Sequence, residues 1–138
     1  VRTNVQQVVK MTTLWFLLGI VLTEDLELEQ LDVKIAFLHR DLDEDIIYMS
    51  QPAGFTATGE QGHLVCNLRK SLYGLKQAPR MWYQKFDTYI WPIGYIRSDS
   101  DPFMYIRQLA DESWIYLILY VDDMLIVASN WAEIEKLK

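Results

Sequence analysis

The sequence predicts an α+β fold, a mainly antiparallel sheet with helices packed on one face. Three observations carry that prediction. Residues 114–128, WIYLILYVDDMLIVA, are two runs of β-formers meeting at an aspartate pair, the pattern of a buried hairpin. Residues 79–90 and 12–22 instead carry apolar side chains at helical spacing. Turn-forming clusters separate these stretches from shorter strand-like runs, and no repeat, linker or low-complexity segment interrupts them.

Taken in order, residues 1–10 show no clear period. The first helix begins at Thr12 or Thr13, either of which can cap it, and Leu14, Leu17, Leu18, Val21 and Leu22 form its apolar face. Residues 26–33 read as a strand whose last positions include a carboxylate, Asp32. Ala36, Phe37 and Leu38 follow too closely for a second strand on that face, so a short helical turn is expected. The acidic loop 41–45 leads to a short strand at 46–49. Residues 52–62 form a loop by composition, and residues 63–68 form the next strand.

Gly74 and Pro79 then break regular structure. Pro79 suits the first position of a helix, where its missing N–H costs nothing. Trp82, Phe86, Tyr89 and Ile90 line one face of that helix, which ends before Pro92 or Gly94. A turn at 98–102, a strand at 103–107 and a polar connection lead into the hairpin. After it, Asn130 with Glu133 three residues on starts a last helix, with Ile134 and Leu137 on its apolar side. The chain stops about two turns into that helix, which predicts a piece of something longer.

Composition narrows the classes. With 51% hydrophobic and 23% charged residues, the 138-residue chain reads as one globular unit rather than a disordered tail or fibre. Its one cysteine, Cys66, excludes an internal disulfide and reads as a buried thiol. The early apolar run 14–22 falls far short of the roughly 20 residues that span a bilayer, and no signal-peptide cleavage pattern follows it. An intracellular protein with no membrane partner is expected. The net charge of −6 argues against bulk coating of nucleic acid. Residues 61–86, however, hold no acid, while Arg69, Lys70, Lys76, Arg80 and Lys85 give that stretch five positive charges. One surface is therefore built for anions.

Three carboxylates stand out: Asp32 at a strand end, and Asp122 and Asp123 at the hairpin tip. An Asp-Asp pair in a hairpin commonly does no more than close the turn. If the strands are neighbours, though, three acids converge and need a cation to hold them together. Hard divalent ions, Mg²⁺ above all, take one or two carboxylates plus substrate phosphates, and two such ions catalyse phosphoryl transfer. His39 and His63 lie outside any zinc spacing.

YVDDM at 120–124, QLDVKIAFLH at 30–39 and LVCNLRKSLYGLKQAPRMWY at 64–83 occur in order, with VVKMTT before them, QPAGF between them and a GY followed by SDSDP. Together they resemble the reverse transcriptase of copia-type LTR retrotransposons. The resemblance implies the right-hand polymerase architecture, a palm with part of the fingers. It implies an RNA-directed DNA polymerase within a Pol polyprotein, in a cytoplasmic particle or the nucleus, acting on an RNA or DNA template with primer and dNTPs. Two Mg²⁺ ions, with Mn²⁺ as the alternative, would be held by Asp32, Asp122 and the Val33 carbonyl, and Asp123 would be the remaining catalytic acid. Phe37 would stand beneath the incoming sugar and exclude a 2′-OH, or else pack in the core. Tyr73, Gly74 and Lys76 would border the nucleotide, with a solvated charge as the other reading of Lys76. Arg69, Lys70 and Arg80 would meet the nucleic-acid backbone.

Departures from the family pattern are Arg40 for Gly, Ile35 for Thr, Gln6-Gln7 for Ser-Pro, and the proline in WPIGY. They leave open a degenerate, non-catalytic remnant, and the basic stretch leaves open a small nucleic-acid-binding module. The resemblance also places the thumb, the ribonuclease H domain and much of the fingers outside residues 1–138, so the isolated chain is expected to have negligible processive activity.

Overall fold

The computed structural model describes residues 9–34, 36 and 46–138. In chain order the elements are α1 (Met11–Glu24), β1 (Glu27–Asp32), β2 (Tyr48–Met49), a 3₁₀ turn (Gly59–Gln61), β3 (Cys66–Asn67), α2 (Ala78–Ile90), β4 (Ile96–Arg97), β5 (Met104–Gln108), β6 (Trp114–Tyr120), β7 (Asp123–Ala128) and α3 (Trp131–Glu135). Five strands form one sheet in the order β1-β7-β6-β5-β4, and β2 with β3 forms a separate ribbon. Every pairing is antiparallel, as the α+β reading expects.

Helices cover both faces of the sheet rather than one. Ile115, Leu117 and Leu119 of β6 pack with α2 and with Ile134 of α3, whereas Ile118 packs with Met104, Val127 and Leu17 of α1. The cause lies in the hairpin sequence. A strand that is apolar at successive positions presents hydrophobic side chains on both faces, and both must be covered. On α2 the buried positions are Ala78, Trp82, Phe86 and Ile90, a strict four-residue stripe. Tyr89, expected on that face, is one position off the stripe and lies exposed.

Both short strands of the ribbon are shorter than their sequence runs, and β4 carries no sequence signal, since both its residues are exposed. Cys66 is half-buried on the ribbon. At the chain's end Asn130 caps α3, its side chain accepting the Glu133 N–H at 3.1 Å.

The start of α1 is capped from a distance. Its N-cap is Lys10, which makes no side-chain cap. Instead Asp101 Oδ2 accepts the Lys10 N–H at 2.8 Å and the Thr13 hydroxyl at 2.7 Å, while its Oδ1 accepts the Phe103 N–H at 3.0 Å. Asp101 is fully buried by this. One carboxylate thus ties α1 to the turn before β5, an anion at a helix N-terminus where the macrodipole favours it.

Tyr95 and Tyr105 are buried almost completely. Burial pushes both phenols above their ordinary value, and for Tyr105 a hydrogen bond with Tyr83 adds to the rise. A phenol raised by folding stays neutral where the unfolded one has ionised. Its stabilisation is therefore complete below the unfolded value of about 10 and is lost as pH rises through the folded value. The urea midpoint should fall above pH about 10. A midpoint unchanged from about pH 9 to 11 would contradict this.

Candidate active site

The β6–β7 hairpin closes with two residues, because Tyr120 pairs with Asp123 and leaves Val121 and Asp122 as the loop. Such loops match the strand twist when the first loop residue has a positive φ, and Val121 has φ 57°. For a β-branched side chain that conformation is strained by about 1–3 kcal/mol. The surroundings hold it in place. Trp82 of α2 donates its indole N–H to the Val121 carbonyl at 2.6 Å, and Val33 donates its N–H to the Asp122 carbonyl at 2.8 Å. Trp82→Phe keeps an aromatic ring in the core but removes the donor and leaves part of the indole's space unfilled. It should cost about 1–2 kcal/mol, read as a lower urea midpoint at unchanged m; no shift would show that the loop holds itself.

The second bond extends the β1–β7 ladder past its last pair, Asp32 opposite Asp123. Directly opposed residues share a sheet face, so Asp32 and Asp123 come to one end of the sheet with Asp122 beside them. Asp32 is exposed and the hairpin pair half-buried. Their carboxylates nevertheless part company. Asp123 Oδ1 accepts the Gln30 side-chain amide at 3.2 Å. Asp122 Oδ2 accepts the Tyr73 hydroxyl at 3.1 Å. Among the described residues no three His, Cys, Asp or Glu side chains form a metal-holding group. The three acids thus reach one end of the sheet without forming such a group, Asp123 bonded to Gln30 and Asp122 to Tyr73.

Tyr73 stands beside Asp122. Loss of water on its inner side, the hydrogen bond to Asp122 and the charges of Asp122 and Asp32 all push its phenol above the ordinary value, so it stays a protonated donor. It occupies the second position of a turn closed by the Leu75 N–H on the Leu72 carbonyl at 3.3 Å. Gly74, third in that turn, has φ 93°, a conformation that suits glycine. The turn aims the phenol at the aspartates.

Val33 is placed at the same edge, but its carbonyl already accepts the Ala36 N–H at 3.2 Å, leaving one lone pair for another partner. Arg69, Lys70, Lys76, Arg80 and Lys85 are all exposed, and none enters an ion pair of the described residues. Tyr73 and Trp82 bring this basic segment against the aspartate loop from two points. Phe37 lies outside the described residues, as do Gln6, Gln7, Ile35, Arg40 and the acidic loop 41–45. Sequence reasoning missed Gln30 and the holding role of Trp82. A buried indole N–H needs an acceptor, which was the one available signal for Trp82; Gln30 gave none.

Residues 3–138 match the family described as reverse transcriptase (RNA-dependent DNA polymerase). The chain is 53% identical over 131 residues, 95% of its length, to the retrovirus-related Pol polyprotein from transposon TNT 1-94 of Nicotiana tabacum. It is 42% identical over 123 residues, 89% of its length, to those from transposons RE1 and RE2 of Arabidopsis thaliana. It spans only 10% of the tobacco polyprotein and 8% of each Arabidopsis one. No solved structure matches it. With the aspartate hairpin, the paired Asp32 strand and the basic segment found in the order that the family resemblance expects, the chain belongs to the reverse transcriptase family, as a domain of the kind found in retrotransposon Pol polyproteins.

Proposed function

We propose that the chain is the palm and part of the fingers of an RNA-directed DNA polymerase, with Asp32 and Asp122 holding the divalent cations at which nucleotides are joined. One observation carries this reading: the β1–β7 register sets Asp32 opposite Asp123 at the sheet end, and the Val33 N–H holds the loop that carries Asp122 at that same end. The donor set fits. Hard divalent ions take one or two carboxylates together with substrate phosphates, and here two carboxylates stand at an accessible edge. The remaining lone pair of the Val33 carbonyl would be a third donor.

When bound, Mg²⁺ or Mn²⁺ neutralises charge on the transferred phosphoryl group and keeps the attacking and leaving oxygens in line. The chain's own residues do the positioning. Asp32 ends β1 and Asp122 sits in the hairpin loop whose carbonyl the Val33 N–H holds, so backbone hydrogen bonds fix their placement. Gln30 keeps Asp123 aside as a further acid near the site. On this reading Tyr73, Gly74 and Lys76 would border the nucleotide, Arg69, Lys70 and Arg80 would neutralise phosphates of the template and primer, and Phe37, outside the described residues, keeps the sugar-excluding role that the family resemblance implies. The thumb and ribonuclease H domain would lie elsewhere in the polyprotein.

Primer extension on an RNA template, by the polypeptide carrying this chain with its flanking domains, tests the reading. Extension should require a divalent cation and Asp122. Template binding that weakens steeply with salt, is indifferent to the cation and never leads to extension would favour a plain nucleic-acid-binding module.

A further inference from the structure

Asp122 already has a protein donor on one of its carboxylate oxygens. The Tyr73 hydroxyl donates to Asp122 Oδ2 at 3.1 Å, and Tyr73 is 55% exposed. This meeting is built into the fold. Tyr73 stands on a turn fixed by its own backbone bond and by Gly74 in the left-handed region. The same segment runs on into α2, whose Trp82 grips the aspartate loop through the Val121 carbonyl. Phenol and carboxylate are therefore referenced to one frame.

The two roles of Oδ2 compete. A hydroxyl hydrogen and a divalent cation both seek the oxygen lone pairs, and a cation repels the positive end of an O–H dipole that points at it. An ionised carboxylate has about four lone-pair positions, so one donor weakens a cation site without closing it. We propose that Tyr73 is a positioning residue that holds Asp122 when no cation is bound and gives it up when one binds, so that its hydroxyl sets the cation affinity of the site. This rests on the assignment of Asp32 and Asp122 as metal ligands. The exposed ring has solvent on its outer side to turn into, which is what a yielding donor needs.

Mn²⁺ alone is the probe, titrated into the full chain with free Mn²⁺ read by electron paramagnetic resonance. Tyr73→Phe keeps the ring and removes the donor, and should bind Mn²⁺ about tenfold more tightly than the parent, the size expected for one hydrogen bond to a charged acceptor. A structural defect would weaken binding instead. Tyr73→Leu, a second variant without the hydroxyl, should shift affinity in the same direction. Asp122→Asn should weaken binding, and adding Tyr73→Phe to it should tighten binding by less than it does in the parent, because a neutral amide oxygen is a weaker acceptor than a carboxylate. If Asp122→Asn weakens binding while neither Tyr73 variant tightens it, the role of Tyr73 is overturned and the metal assignment stands. If Asp122→Asn binds as tightly as the parent, the metal assignment itself falls, and this inference with it.

Discussion

On the proposed reading, Asp122→Asn should lower metal-dependent primer extension by at least about 10²–10³-fold in the polypeptide that carries this chain, the loss expected when a group that stabilises transition-state charge is removed. The substitution is nearly isosteric and leaves the loop backbone alone. The bonds that hold the loop, from Trp82 to the Val121 carbonyl and from Val33 to the Asp122 carbonyl, end on main-chain oxygens. The amide oxygen of Asn can still accept from Tyr73. Activity should therefore collapse while the urea midpoint stays within about 0.5 kcal/mol of the parent, as for a surface change away from buried features. A rate within a few-fold of the parent would remove Asp122 from the chemistry.

The largest stability effect is expected far from the aspartate loop, at Asp101. Asp101→Ala leaves the Lys10 N–H, the Thr13 hydroxyl and the Phe103 N–H without their acceptor at a position that is fully buried. The three donors are themselves only partly buried, so each left without its acceptor costs about 1 kcal/mol, the low end for a buried group. A loss of about 2–3 kcal/mol is expected, read from urea denaturation. Asp101→Asn should fall between, since its single oxygen can serve the two donors on Oδ2 but its amide nitrogen would face the Phe103 N–H. A loss below about 1 kcal/mol for the alanine variant would mean that α1 does not depend on this cap.

These two aspartates differ in how openly the sequence declared them. The hairpin was legible because its signal is local: two apolar runs and a polar tip leave few alternatives. Asp32 was legible as a strand end, and its pairing with the hairpin followed from the expectation of neighbouring strands. Asp101 was not legible, because Asp before Pro reads as a turn former and its main partners lie 88 and 91 residues away. The same limit hid the second helical layer. The apolar run of β6 accounts for two covered faces once they are seen, but the sequence reading put the helices on one face, and nothing local assigned α1 to one side and α2 to the other. The three-acid cluster failed for a related reason. Strand order brought the residues together, while the side-chain directions were decided by Gln30 and Tyr73, hydrogen-bond partners that periodicity does not reveal.

Asp32 and Asp122 are proposed to act as one unit, because the backbone bond from Val33 to the Asp122 carbonyl continues the β1–β7 ladder and sets both at one end of the sheet. A double-mutant cycle in metal-dependent primer extension tests it most directly, with Asp32→Asn, Asp122→Asn and the pair compared at saturating Mg²⁺. Residues that share one function are strongly non-additive. The double variant should therefore be no more than a few-fold slower than the worse single one. Losses that multiply, each substitution taking its full factor independently of the other, would contradict a shared site.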